Sequence, residues 1–185
     1  MIEEWHRPPL VIFPDNLLTT PAVAGKHDGS GAAIAAYSAL AQTMVRAMYH
    51  YGGRGLAANQ IGCWERIFVM IMDDKELTLI DPIITSQTRE TETAEESCLS
   101  FPGITATIER PKGVGISYVN QYNAAQSIYL SDINARCAQH EIDHLNGITI
   151  LDRCKPVLRD ILRRKYAKLS RRRAQWLKAI EKKNA

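Results

Sequence analysis

Residues 140–144 read His-Glu-Ile-Asp-His, and no other stretch constrains the fold so tightly. Side chains four apart share a face only on a helix. The chain must therefore build a helix that turns this face toward a site. Two imidazoles at that spacing can grip one metal ion, and the Glu beside the first can take a proton from a water that the metal has acidified. Such a metal lowers the pKa of water from 15.7 toward roughly 7. The bland alternative is a pair of surface histidines. Of the five histidines in the chain, two flank a Glu in this way, which weighs against that alternative.

A metal site of this kind needs a third protein ligand. No histidine follows His144, and Glu181 is the one glutamate beyond it, so the donor is expected upstream. Cys98, in Glu96-Ser97-Cys98-Leu99-Ser100, is the best candidate. A single cysteine by itself reads as apolar core filler, so spacing alone leaves both roles open. The other cysteines, Cys63, Cys137 and Cys154, are widely spread, as in a protein of a reducing compartment.

The length of 185 residues suits one domain. No apolar run approaches the roughly 18–20 residues that cross a bilayer. The leading MIEEWHRPPL is charged and does not read as a signal peptide, so the cytoplasm is the expected location. Apolar residues at helical spacing (Ile34, Tyr37, Leu40, Met44, Met48) predict a helix over 32–50 that ends at Gly52-Gly53. A glycine-bearing segment and the strand-like ERIFVMIM follow, then a probable strand pair over Leu77–Ile84. Residues 85–96 read as a turn or exposed strand. Alternation at Ile104, Ala106 and Ile108, and again around Val114–Tyr118 and Ala125–Tyr129, predicts antiparallel strands. Ser131-Asp132 can cap a helix to about Leu145, ended by Asn146-Gly147. A short strand is expected at Ile148–Leu151 and a long basic helix from about Val157 to Lys183. The order suggests an α+β domain. We expect antiparallel sheets around a central metal-binding helix, with an N-terminal helix and a basic C-terminal helix. The catalytic part would span 1–156, and 157–185 would be a helical tail of the same domain.

Three motifs in order resemble the peptide deformylase family: Gly53-Arg54-Gly55-Leu56-Ala57-Ala58-Asn59-Gln60, Glu96-Ser97-Cys98-Leu99-Ser100, and Gln139-His140-Glu141-Ile142-Asp143-His144-Leu145. Connecting pieces agree: Ile61-Gly62, Phe101-Pro102-Gly103, Arg110-Pro111 and Asn146-Gly147. The resemblance runs from about residue 10 to about 170. It implies that Cys98, His140 and His144 bind the metal and that Glu141 is the general base. It implies hydrolysis of the formyl group of N-formylmethionyl nascent peptides, with the Gln60 amide and the Leu99 backbone N–H as oxyanion donors. Gly55 would let the substrate backbone approach closely. The family commonly uses Fe²⁺, and a Cys-His-His set would also hold Zn²⁺, Ni²⁺ or Co²⁺.

Three positions depart from the family pattern. Ser97 stands for a usual Gly, where it could narrow the substrate groove or need a changed backbone angle. Arg54 stands for a small aliphatic residue that lines the methionine pocket, and Asp81 for an Asn. Rival readings are a metal-dependent amidase or peptidase of altered substrate, and a non-catalytic ribosome- or RNA-binding protein. A structural metal site would need neither Glu141 nor Gln60.

Charge is unevenly spread. Of 23 Lys and Arg, 12 fall in 155–185 with two of the 20 acids, so that segment carries +10 and the rest −7. The dense run Arg163–Arg173 is either a solvated helix face or a contact for the phosphates of ribosomal RNA. The resemblance fits the second reading, because some family members dock on the ribosome through a C-terminal helix.

Overall fold

The computed structural model describes residues 10–25 and 30–184, and their side chains except at 173, 174 and 176–184. Helix α1 spans Gly31–Tyr51. Seven strands follow: β1 (Gly55–Ala57), β2 (Ile67–Met72), β3 (Lys75–Gln87), β4 (Thr91–Ser97), β5 (Thr105–Pro111), β6 (Gly113–Val119) and β7 (Ala125–Ser131). Helices α2 (Asp132–Leu145) and α3 (Pro156–Asn184) complete the order. Five strands form one antiparallel sheet in the order β1-β2-β3-β6-β7, and β4 pairs with β5 in a second. This is the expected α+β architecture.

The unbroken apolar run of β2 has a simple cause: both its faces are covered. Phe68 and Met70 point to α2, where they meet Ala135, Ala138, Ile142 and Leu145. Ile67 and Val69 point the other way, to Met44, Ala47 and Met48 of α1. Successive strand residues alternate faces, so a strand sandwiched between two helices has no polar side. The turn from β2 to β3 is Asp73-Asp74, with φ of +49° and +61°. Positive φ at both central residues is what a two-residue hairpin of matching twist requires.

Helix α2 carries few apolar residues, yet most of it is buried. Its stripe at 135, 138, 142 and 145 packs on the large sheet. The opposite face carries Arg136, His140 and Glu141 toward β4, β5 and the cavity described below. The Ser131 hydroxyl makes no capping hydrogen bond here. A third core joins Phe101, Ile104 and Ile108 to Leu162 and Tyr166 of α3. Phe13 stacks on Phe101 at 4.7 Å, and its carbonyl accepts from the Tyr166 hydroxyl at 2.7 Å.

Two expectations need correction. Leu77–Ile84 is not a strand pair but the middle of one long strand, β3, broken by a bulge. Asp81 sits in that bulge with φ of +47°, where Asp and Asn are the tolerated residues, and its carboxylate accepts the Gly25 N–H at 3.0 Å. Ile148–Leu151 is not a strand but a turn. The Asp152 carboxylate accepts from the Thr149 backbone N–H at 2.9 Å and from its hydroxyl at 2.6 Å, a local bond that competes with strand pairing.

Candidate metal centre and its cavity

Cys98 follows directly on β4, whose last residues alternate between a buried Glu96 and an exposed Ser97. His140 and His144 stand one turn apart on α2. One ligand atom from each of the three residues can be chosen so that all lie within 4.8 Å of one another. Cys98 Sγ is 3.1 Å from His144 Nε2. His140 Nδ1 is 3.0 Å from a Glu96 carboxylate oxygen, which leaves Nε2 for the site. Tetrahedral bonds of about 2.0–2.3 Å to N and S would hold such donors roughly 3.4–3.7 Å apart. One thiolate and two imidazoles around such a gap fit a divalent transition metal.

The electrostatics agree with that fit. Burial works against a charge on His140, but the Cys98 and Glu96 contacts outweigh it and push its pKa well above the ordinary value. A site that stabilises a proton there would stabilise a cation in the proton's place. Burial and the neighbouring positive charges push His144 the other way, toward the neutral ligand form.

Beneath the donors lies a network of buried charge. Burial alone would raise the Glu96 pKa, yet hydrogen bonds from His140 and Arg110 hold it at about 2. Arg110 donates to both Glu96 oxygens, at 2.6 and 2.9 Å, and to Asp143 at 2.8 Å. Arg136 reaches Glu96 at 2.8 Å and the Ile108 carbonyl at 3.0 Å. Arg153 pairs with Asp143 from the other side. Glu96 thus orients one candidate ligand, and the arginines orient Glu96. Partners of this kind fix the tautomer and ring orientation of a ligating histidine.

The cavity in front of the donors has a volume of about 390 Å³. Gly53, Arg54, Gly55, Gln60, Ser97, Leu99, Cys137 and Glu141 line it together with Cys98 and His140. Of the candidate metal, catalytic and substrate-binding residues, all but the buried His144 therefore face one space. Glu141 is 4 % exposed, and its Oε2 has no hydrogen-bond partner among the described residues. Burial pushes its pKa up to about 7, against the opposing pull of His140 and Arg110. The Gln60 amide is fixed: Oε1 accepts the Ala57 N–H at 2.9 Å, and Nε2 points to Ser100 Oγ at 3.2 Å and Cys98 Sγ at 3.7 Å. A Cβ on Gly55 would lie 2.6 Å from Glu141 Oε1 and 2.9 Å from Cys137 Sγ. The space before Gly55 is thus already filled by the carboxylate itself. Ser97 keeps a negative φ at the end of β4, so a serine meets no strain there.

The sequence model of the polypeptide deformylase family matches residues 8–160. The chain belongs to the peptide deformylase family. A peptide deformylase of Thermotoga neapolitana is 44 % identical over 130 residues, covering 70 % of this chain and 79 % of its own length. That of Rhizobium meliloti is 34 % identical over 173 residues, covering 89 % and 95 %. Among solved structures, the Legionella pneumophila peptide deformylase superposes with a TM-score of 0.81 at 30 % identity, covering 91 % of this chain and 98 % of that one. The Thermotoga maritima enzyme gives 0.75 at 39 %, covering 82 % and 99 %. This deformylase-family chain is accordingly an enzyme, a metal-dependent hydrolase that removes the N-formyl group from newly made polypeptides. Among the described residues, no helix is long and apolar enough to cross a membrane.

Glu96, Arg110 and Asp143 fall within the sequence motifs without a role assigned there, and Arg136 and Arg153 lie outside every motif. One signal was available. Ala106, Ile108 and Arg110 share one face of β5, so the alternation that buries the first two also buries a guanidinium, which then needs carboxylate partners.

Proposed function

We propose that Cys98, His140 and His144 hold the catalytic metal, with Fe²⁺ as the native ion and Zn²⁺, Ni²⁺ or Co²⁺ able to replace it. One observation carries the reading: Cys98, His140 and the unpartnered Glu141 border one cavity, and His144 meets the same donor cluster with its Nε2 3.1 Å from Cys98 Sγ. A bound divalent cation would supply Lewis acidity, lowering the pKa of water toward roughly 7 and polarising the formyl oxygen. Glu141 takes the proton of the attacking water on its unpartnered Oε2. Burial raises its affinity for a proton, which suits it to accept the proton and then deliver it to the departing amine nitrogen. The water oxygen bonds to the formyl carbon and the C–N bond breaks, so formate and a free methionyl N-terminus leave. Charge that develops on the formyl oxygen meets Gln60 Nε2 and the Leu99 N–H. The Ala57 N–H holds the Gln60 amide in that orientation. Losing one such donor costs roughly 2.7–4 kcal/mol of barrier. Gly55, Arg54 and Ser97 flank the substrate.

Formate release from formyl-Met-Ala-Ser by anaerobically prepared enzyme tests this assignment. Glu141→Ala should retain metal and lose turnover, whereas a fully active variant would refute the role of Glu141.

The enzyme acts in the cytoplasm on nascent chains, and α3 docks it on ribosomal RNA. Exposed Arg163, Arg164, Lys165, Lys168, Arg171 and Arg172 support that reading, as does the +10 charge of 155–185 against −7 for the rest. Residues 1–156 form the catalytic part, and 157–185 are a tail of the same domain. Salt-sensitive co-sedimentation with ribosomes should be lost when 157–185 are deleted, and equal binding by both forms would refute it.

A further inference from the structure

The cations around the cavity differ in one respect. Arg110 and Arg136 are buried and committed to Glu96, with Arg110 also on Asp143. Arg54 lines the same cavity, is exposed, and makes no ion pair among the described residues. Its position is held by its own backbone, since its carbonyl accepts the Ile71 N–H of β2 at 2.9 Å. Its charge lies close enough to bear on the Cys137 thiol deeper in the cavity. A single uncommitted guanidinium, whose stem can cover the methionine pocket while its charge reaches the rim, therefore stands at the mouth of a site whose surrounding body is net negative. Glu95 and Ser97, exposed on the same face of β4, belong to the cavity lining as well.

We propose that Arg54 is a specificity residue that selects nascent chains bearing an acidic side chain just after the formyl-methionine. The proposal rests on the deformylase reading above. An extended peptide sends successive side chains to opposite sides. One of the two residues after methionine then faces Arg54, and the preference falls on that position alone. The other faces away, and on the side of Glu95 a carboxylate would be repelled. Because Arg54 is exposed, the attraction is that of a surface ion pair and is screened by salt.

The test uses formyl-methionyl tripeptides with Asp, Asn or Lys at each of the two following positions, assayed by formate release. Wild type, Arg54→Leu and Arg54→Lys are compared at low and high ionic strength. At one position, wild type should favour Asp over Lys in kcat/KM by roughly five-fold, the scale of an exposed ion pair. The ratio should collapse in Arg54→Leu, survive in Arg54→Lys, and shrink in high salt. The Asp to Asn ratio should follow the same course, which separates charge from shape. Equal Asp to Lys ratios in wild type and Arg54→Leu at both positions would overturn the proposal while leaving deformylation intact. Formate release from none of the peptides would instead overturn the reading beneath it.

Discussion

Gly55→Ala should cripple turnover by moving Glu141, not by blocking the substrate. The glycine keeps a negative φ, so its backbone tolerates alanine without strain. The added Cβ would lie 2.6 Å from Glu141 Oε1, where ordinary contact begins at 3.4 Å. The carboxylate must retreat by about 0.8 Å, the difference between those two distances. A misplacement of about 1 Å can cost on the order of 10²-fold in rate. Overpacking of this size also costs roughly 1–3 kcal/mol of stability. Steady-state kinetics on formyl-Met-Ala-Ser, with metal content and a thermal melt, would check both effects. We expect kcat to fall on the order of 10²-fold with KM little changed. Adding Cys137→Ala relieves the 2.9 Å overlap with sulfur but not the one with the carboxylate, so the double variant should stay slow. A raised KM with kcat preserved would refute the reasoning and restore the view that Gly55 serves substrate approach.

Other outcomes follow from the charged network and the rim. Arg110→Met leaves Glu96 and Asp143 buried and undercompensated, so it should destabilise the fold by about 3–5 kcal/mol in urea denaturation. A loss under 1 kcal/mol would mean that Arg136 and Arg153 suffice. Glu96 has a folded pKa of about 2 against an ordinary 4.5. Its stabilisation is therefore complete above about pH 4.5 and fades as pH falls toward 2. With metal chelated, the stability gap between wild type and Glu96→Gln should narrow across that window, and a constant gap would contradict the pairing. Ser97→Gly should raise kcat/KM on formyl-methionyl peptides by opening the groove. An unchanged or lower value would show the serine to be neutral or adapted.

Much of this molecule can be read from local pattern. The period of α1 and the alternation of β5 to β7 lie within single segments, and so does the shared face of His140 and His144 on α2. Pattern failed where a short contact overrode it, as at Thr149 and Asp152, where a side chain captured a backbone N–H that a strand would have used. It failed again at β3, whose two apparent strands are one strand with Asp81 bulged out. The charged network was legible only in its need: the alternation of β5 buries Arg110, but its partners lie far along the chain. Glu96 joins Arg110, Arg136 and His140, which are 14, 40 and 44 residues away, and nothing near any of them announces the partner. Gly55 shows a further limit. Its motif pointed to a site, but the reason for a glycine appears only once Glu141 is seen to occupy the space where a Cβ would stand.

The clasp of Phe13, Phe101 and Tyr166 has a mechanical meaning. Leu169 is the last residue of α3 that packs on the core among those with described side chains, and the helix continues to Asn184. Fifteen further residues at 1.5 Å each extend the helix by about 22 Å. An arm of that length converts a tilt of about 10° at its root into a displacement of about 4 Å at its tip. The aromatic trio is the root. It ties this stretch of α3 to the loop that follows Cys98, so the bearing on which the helix leaves the core is set by the same loop that carries a candidate ligand.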